Sequence, residues 1–518
     1  MKKKFFAASA VSAAAAAAVL LAAPYYLGGK AEEVLNEQHA LLKESSLVSI
    51  ESRQYERGWF SSTETTVLRF NPALLNNAQR FLPDNIKTVL KEPVTVVNHI
   101  SHGPLADFVP AAAKVRSEFR YQPETEKVLQ RFFGSQAPLE LSNTISFDGS
   151  GKLDFAVPAF KYQELSGIEI NWQGLNGQTA YGRGWAEYKH NYAAPALHVK
   201  LADKGNISAE NISFAGDTKN GTQNIALGSS QTRVGKFSLQ WKEGIDYNFK
   251  LNELVQLVTD LQIGAFINPT GTVPPSEISV ENLKFDTKVG ESGEWINSEG
   301  RFGFDKLAYG KDVYGPLDID VAAEHLDAAG LNALKQKMAE ISSKEMSETE
   351  IQDALLHTAK NEAVSLFTSN PQIHIRRFDF TMPQGKVHAD GTLAFNGLQA
   401  ADLNDIGKML KKTDAALNLN VPQKLLESLA LSQARSIFTV NAEDEAAGEA
   451  SIDDINETLR LMVDSTVKSM QGQGYLTLDN GDIATRIEVK QGELKLNGKV
   501  FEQEPEPEFT DADFAAEE

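Results

Sequence analysis

The residues whose type and spacing come closest to chemistry are two histidines in Asn98-His99-Ile100-Ser101-His102-Gly103-Pro104, the only pair among nine histidines at a spacing metal ligands use. Residues three apart on a strand face opposite sides, so these imidazoles converge only if a turn starts near Gly103 and Pro104. Two histidines alone make a poor metal site, and the expectation is a core or turn-stabilising role. Asp148-Gly149-Ser150-Gly151 is the nearest approach to a nucleophile elbow. It lies between two alternating runs rather than between a strand and a helix, so it reads as a hairpin turn and not as a serine hydrolase motif. Gly492 to Lys499, Gly-Glu-Leu-Lys-Leu-Asn-Gly-Lys, imitates a phosphate loop, but the spacing is off by one and Val500 stands where Ser or Thr would hold magnesium. The alternation of Leu494 and Leu496 makes this segment a strand.

The 70 Asp and Glu residues could supply an acid and base pair, yet in so long a chain chance pairs are common and nothing singles out two of them. No catalytic residue, cofactor site or metal site is therefore assigned, and the chain is not expected to be an enzyme. Groups that converge from distant segments leave no local motif, which keeps a hydrolase of an envelope substrate open as an alternative. The absence of cysteine removes disulfides, thiolate metal sites, a Cys nucleophile and a lipidated N-terminal Cys together. A formal charge of -20 argues against nucleic acid as a partner, because neutralising phosphates takes clustered Lys and Arg.

Any anchor must then be peptidic. Lys2, Lys3 and Lys4 precede an uncharged run from Phe5 to Leu27. The run has about the 20 residues a bilayer core requires, the basic flank predicts a cytoplasmic N-terminus at residues 1–4, and Tyr25 and Tyr26 suit the far interface. The reading preferred is a transmembrane anchor over 5–27. A cleaved signal peptide, cut near Gly29-Lys30-Ala31, is the competing one, since Ala contributes little transfer energy. Both place the body outside the cytoplasm.

The 518 residues, 42% hydrophobic and 23% charged, suffice for a large core, so residues 28–500 are expected to form a folded body. Glu32 to Lys43, with Val34, Leu35, Leu41 and Leu42, predicts a helical stalk leaving the membrane. Alternating runs follow at Ile145 and Phe147; Leu153 to Val157; Leu197 to Leu201; Phe237 to Trp241; and Ile245 to Leu251. They resume at Ile278 to Phe285, Phe302 and Phe304, Leu317 to Val321, Ile373 to Phe380, Leu393 and Phe395, Leu417 and Leu419, and between Leu476 and Leu496. A period of two with Gly, Asn and Asp between runs predicts antiparallel meanders. Helical spacing appears over Leu254 to Leu261, Leu331 to Phe367 with a break at Ser342 and Ser343, Leu403 to Leu410, Val421 to Leu431, and Ile452 to Met470. The fold class is thus α+β and β-rich, a long antiparallel meandering sheet with interspersed helices and an N-terminal transmembrane helix, in two or three loose strand-helix repeats. Residues 501–518, acidic and broken by Pro505 and Pro507, are expected to be a disordered tail.

Several local patterns occur in a distinctive order: Tyr55-Glu56-Arg57-Gly58-Trp59-Phe60-Ser61-Ser62, then His102-Gly103-Pro104-Leu105, then Tyr314-Gly315-Pro316-Leu317 with His325-Leu326-Asp327. Gly474-Tyr475-Leu476, Gly492-Glu493-Leu494 and Leu496-Asn497-Gly498-Lys499 complete the series. With the N-terminal hydrophobic segment this order resembles the YdgA-like family of bacterial envelope proteins, a family of unknown function, over roughly residues 1 to 500. The resemblance implies location and architecture and brings no catalytic residues. In the first pattern Gly58 permits a bend, and Tyr55, Trp59 and Phe60 are expected to pack the first hairpin. The texture is also similar to that of AsmA-like envelope proteins, to which lipid handling between membranes is attributed.

Expected, then, is a non-catalytic protein of the bacterial inner membrane with its body in the periplasm, acting in envelope maintenance through protein contacts or self-association. Its candidate partners are the membrane itself, a second copy and a lipid. The alternative to protein contacts is a lipid- or amphiphile-binding module, which requires an apolar sheet face that helices leave open.

Overall fold

The computed structural model describes residues 2–44, 48–71, 90–223, 225–241, 277–342, 348–438 and 452–501, with the side chains of the first helix from Ala22 onward. Helix α1 (Lys2–Glu44) leads into hairpin β1 (Val48–Arg57) and β2 (Ser61–Phe70), then β3 (Val94–His102), β4 (Ala113–Arg120) and α2 (Pro123–Phe133). Short strands follow: β5 (Glu140–Ile145), β6 (Gly151–Val157), β7 (Phe160–Gln163), β8 (Ile168–Trp172) and β9 (Leu175–Tyr181). The long strands are β10 (Glu187–Leu201), β11 (Gly205–Asn220), β12 (Ala226–Trp241) and β13 (Glu277–Ser292). After them come β14 (Trp295–Phe304), β15 (Lys306–Tyr309), β16 (Asp312–Tyr314) and β17 (Leu317–Asp327), and helices α3 (Ala328–Ser342), α4 (Glu348–Asn361) and α5 (Ser365–Thr368). The chain continues through β18 (Gln372–Met382), β19 (Gly385–Phe395), α6 (Ile406–Lys411), β20 (Thr413–Pro422), α7 (Gln423–Phe438) and α8 (Ile452–Gln473). It closes with β21 (Thr477–Asp479), β22 (Asp482–Lys490), β23 (Glu493–Leu496) and β24 (Lys499–Val500).

These strands form one antiparallel sheet. Most neighbours in the sheet are neighbours in sequence, so hairpins set the register, and among the described residues the sheet forks at three places: β9 and β8 share β10, β14 and β15 share β13, and β21 and β23 share β22. Residues in the left-handed region mark the tight turns, with Asn480-Gly481, Gln491-Gly492 and Asn497-Gly498 each at positive φ, the geometry two-residue hairpins require.

A strict period of two does not survive along the long strands. Asn211 and Asn282 adopt φ of 53° and 56° in one row with Pro195 and Gly235, bracketed by the pairs Ala196↔Glu210↔Lys236↔Glu281 and Ala194↔Ile212↔Val234↔Leu283. A left-handed residue turns the alternation over, so apolar positions move from the 278 and 280 phase to the 283 phase while staying on one face. Ile278, Val280 and Leu283 indeed pack on the same cluster. Gly235 is required in this row, since a Cβ there would lie 2.9 Å from that of Asn211.

Helix α1 differs from the expected stalk. It runs unbroken to Glu44 and lies on the sheet, with Leu27, Ala31, Val34 and Leu35 buried at helical spacing against Ile100, Ala113, Val115, Ile145 and Tyr181. Small residues allow this approach: a Cβ on Gly28 would sit 2.7 Å from the His102 ring. The candidate cleavage residues Gly29 to Ala31 lie inside the helix, with Ala31 fully buried. Among the described residues no helix is long and apolar enough to cross a membrane, and the run from Phe5 to Leu27 falls mostly on the part of α1 whose side chains lie outside the described residues.

Other boundaries moved for local reasons. Phe147 is 51% exposed in the turn after β5, because Ser146 and Ser150 close the hairpin there. Val421 and Pro422 end β20, and α7 starts only at Gln423. Leu403 lies in a 3₁₀ turn (Ala400–Asn404), separate from α6 because Asp405 caps the Lys408 amide. The described residues between Leu331 and Phe367 form three helices, the first beginning at Ala328, and Asp327 accepts the Gly330 amide at 2.8 Å. The expected strand Ile245 to Leu251, the helix Leu254 to Leu261 and all but the first residue of the acidic tail lie outside the described residues.

Candidate functional site: an open stretch of one apolar sheet face

The charged face of the sheet is built from ion pairs across adjacent strands. Arg301 meets Asp320 at 2.9 Å, Arg376 meets Glu299 at 3.1 Å, Arg377 meets Asp318 at 2.9 Å and Arg233 meets Asp286 at 2.5 Å. Such exposed pairs add little stability each, but they commit every second residue to water and so force the alternate residues onto the other face.

Among the described residues that other face is apolar along much of the sheet, and helices roof it in several places, including α2, whose Phe132 and Phe133 pack on Phe160, and α5, whose Phe367 packs on Phe395. Helix α1 covers β3, β4 and β5. Leu425 and Leu429 of α7 cover Phe304, Leu307, Tyr314, Phe380 and Val387. Leu331 of α3 closes over Val289, Ile296 and Leu326, and Val467 of α8 covers Leu476 and Ile483. Between these roofs no described helix covers the face. Phe285 and Phe302 stand opposite each other on β13 and β14 at 45% and 37% exposure, Val321 is 37% exposed across from Gly300, and Ile373 is 39% exposed across from Ala323. Toward α1, beyond Thr232 of β12, the same face carries half-buried Phe214 and Tyr192, stacked at 6.1 Å, and His190, whose ring is 5.6 Å from that of Tyr192. Burial holds the His190 imidazole below its ordinary pKa, so this part of the strip is neutral at physiological pH. Surfaces seldom gather exposed large apolar side chains on one face without use for them.

The histidine pair resolves into two unrelated roles. His99 is exposed and meets Glu118 at 3.1 Å. His102, on the opposite side of β3, is buried with Nδ1 2.8 Å from the Pro24 carbonyl and Nε2 3.0 Å from Ser62 Oγ. A carbonyl only accepts, so Nδ1 carries the proton and Ser62 donates to Nε2. Burial pushes the His102 pKa down, against the raising effect of its backbone bonds to Pro24 and Ser61. The Ser62 and His102 contact has the geometry of a nucleophile and base, but both side chains are 4% exposed beneath α1, where no substrate reaches them. They fasten the helix to the sheet.

A second fastening, which sequence reading missed, centres on Glu64. Its carboxylate is fully buried and receives Arg53 Nε at 2.7 Å and Asn98 Nδ2 at 2.7 Å, with His39 Nε2 at 3.1 Å. Arg53 in turn donates to Asn36 of α1 at 2.6 Å. A polar Thr-Glu-Thr stretch in β2 carried no sign of burial, because only α1 folding over it creates the interior.

Asp148 to Gly151 is a hairpin turn, with the Ser150 amide on Asp148 Oδ1 at 3.0 Å and Gly149 at φ 90°. Gly492 to Lys499 is the β22 to β23 turn, strand β23 and the turn into β24. Among the described residues no group of three or more His, Asp or Glu side chains is placed to hold a metal ion.

The motif around Gly58 departs from expectation. Tyr55 packs under α1, but Trp59 and Phe60 stand out at the hairpin tip, 53% and 57% exposed. Gly58 serves close approach: its amide donates to Ser61 O at 3.0 Å, and a Cβ would lie 2.4 Å from that oxygen. Gly58→Ala is expected to cost about 1–3 kcal/mol, read as a lower denaturant midpoint at unchanged slope.

Fold and site together define a single-sheet antiparallel protein whose apolar face, among the described residues, is roofed by helices in places and exposed between them. The chain belongs to the family described as bacterial protein of unknown function (DUF945), which matches residues 1–504 and accords with the YdgA-like resemblance. Likeness to AsmA-like proteins is not shown, and comparison with curated proteins and with solved structures finds no match.

Proposed function

We propose that this chain is an inner-membrane-anchored protein of the bacterial envelope that holds acyl chains of a lipid or similar amphiphile along the open stretch of its apolar sheet face, without catalysing a reaction. The observation that carries this is the exposed Phe285 and Phe302 pair, continued by Val321 and Ile373 and bordered by helices on the same face. An extended apolar strip backed by a charged face suits a molecule that is itself long and apolar, and burial of each CH₂ contributes about 0.8 kcal/mol. Anchoring rests on the uncharged run Phe5 to Leu27 behind three lysines, and a periplasmic body follows from that orientation.

The test places a photoreactive benzoylphenylalanine at Phe302 of the full chain in its native membrane, with a matching probe at Arg301 on the charged face. The expected product is a lipid adduct on the peptide carrying position 302 and none at 301, lost when Phe285→Glu is added. A protein adduct at 302, or equal lipid labelling at both positions, would overturn the lipid reading and favour contacts with another chain.

A further inference from the structure

Where α1 leaves the sheet, the body presents apolar side chains to solvent from three separate segments. Tyr25 and Tyr26 of α1 are 47% and 75% exposed, Trp59 and Phe60 of the β1 to β2 hairpin 53% and 57%, and Leu105 and Phe108 of the β3 to β4 loop 65% and 94%. These segments are held together. The Tyr25 and Trp59 rings lie 5.2 Å apart, the His102 amide donates to Phe60 O at 3.0 Å, and Gly103 lies against Pro24, where a Cβ would sit 3.6 Å from the ring. Arg57 rests 4.3 Å over the Tyr25 ring.

The loop holds its apolar tip out in solvent. Phe108 has φ 63°, a left-handed conformation costly for a bulky residue, and Asp107 before it has φ 49° and is clamped by Arg116. Strain spent on turning a phenylalanine almost wholly into water is understandable only if that ring is covered in use. What covers it is indicated by α1: the uncharged run from Phe5 ends at Leu27, at this same place. Trp and Tyr with an arginine among them are the side chains that settle at a bilayer's headgroup level.

We infer that these six side chains form a collar that inserts into the outer-facing interface of the membrane carrying α1, seating the body on the phospholipid surface. This rests on the anchored reading proposed above, and the test separates the two. The chain lacks cysteine, so single cysteines can be spin-labelled in the full-length protein in vesicles of phosphatidylethanolamine and phosphatidylglycerol. Phe108→Cys reports the collar, Ala15→Cys the anchor, and exposed Lys311→Cys, in the β15 to β16 turn, serves as the aqueous reference. The ratio of oxygen to nickel-chelate accessibility at 108 is expected to exceed that at 311 several-fold, with the label at 15 higher still. A lipid-like ratio at 15 with a water-like ratio at 108 would overturn the collar and leave the anchor standing. A water-like ratio at 15 with a lipid-like one at 108 would remove the anchor and keep the collar as a surface contact. A label at 108 shielded from both reagents would mean that a second copy or another protein covers it, and the collar would fall.

Discussion

Glu64→Ala lowers the unfolding free energy of the full chain by about 3–5 kcal/mol, as expected when one member of a buried charge network is removed and the rest are left behind. The magnitude follows from what Glu64 holds. Arg53 Nε at 2.7 Å and Asn98 Nδ2 at 2.7 Å would both lose a charged acceptor inside the protein. Because Arg53 also reaches Asn36, and His39 sits 3.1 Å from the same carboxylate, the loss also loosens α1 from β1, β2 and β3. Chemical unfolding followed by circular dichroism measures it, and Glu64→Gln, which keeps an acceptor oxygen but not the charge, should lose less. An alanine variant as stable as the parent would mean the network contributes nothing net.

The same residue predicts a pH dependence. Burial raises the Glu64 pKa, but hydrogen bonds from His39, Asn98 and Arg53 outweigh it and hold the carboxyl below its usual value. A folded pKa below the unfolded one means the folded state binds fewer protons, so the contribution is complete above the ordinary glutamate value, about 4.3, and disappears as pH falls through the folded value. Stability measured against pH should therefore fall on acidification below about pH 4 in the parent, and Glu64→Gln should show a shallower fall.

Phe380→Ala is the second large effect, about 3–5 kcal/mol, because it empties the best roofed part of the apolar face. Phe380 is 8% exposed, edge-on to Phe304 at 6.1 Å and stacked on Tyr314 at 6.2 Å, beneath Leu425 of α7. The density of this cluster also shows in the Tyr314 hydroxyl, whose pKa burial pushes up to about 12. Phe285→Ala on the same face should cost much less in stability, since a ring 45% exposed leaves no closed cavity when removed. Unfolding midpoints of the two variants at equal slope test the contrast, and equal losses would mean that Phe285 is roofed as Phe380 is. The reading of the open stretch as a ligand surface depends on that difference.

The strand content was legible because alternation survives wherever one face is charged: Phe302 and Phe304, Leu417 and Leu419, and Ile487 and Val489 all stand in strands, on the same face. Reading failed where local geometry overrides the period. Asn211 and Asn282 invert the phase in mid-strand, and nothing in a window around them distinguishes them from turn residues. Glu64 and His102 were equally hidden, since each is polar and becomes interior only when α1, 25 and 78 residues away at His39 and Pro24, lies over it.

By itself the sequence determined that this would be a β-rich chain of antiparallel strands with one half-buried apolar side, preceded by an uncharged run, because period and turn residues act between near neighbours. Only the tertiary structure decided which parts of that apolar face are core and which are surface. That depends on where α1, α3, α7 and α8 come to rest, and exposure is a property of distant segments meeting, which no local pattern records.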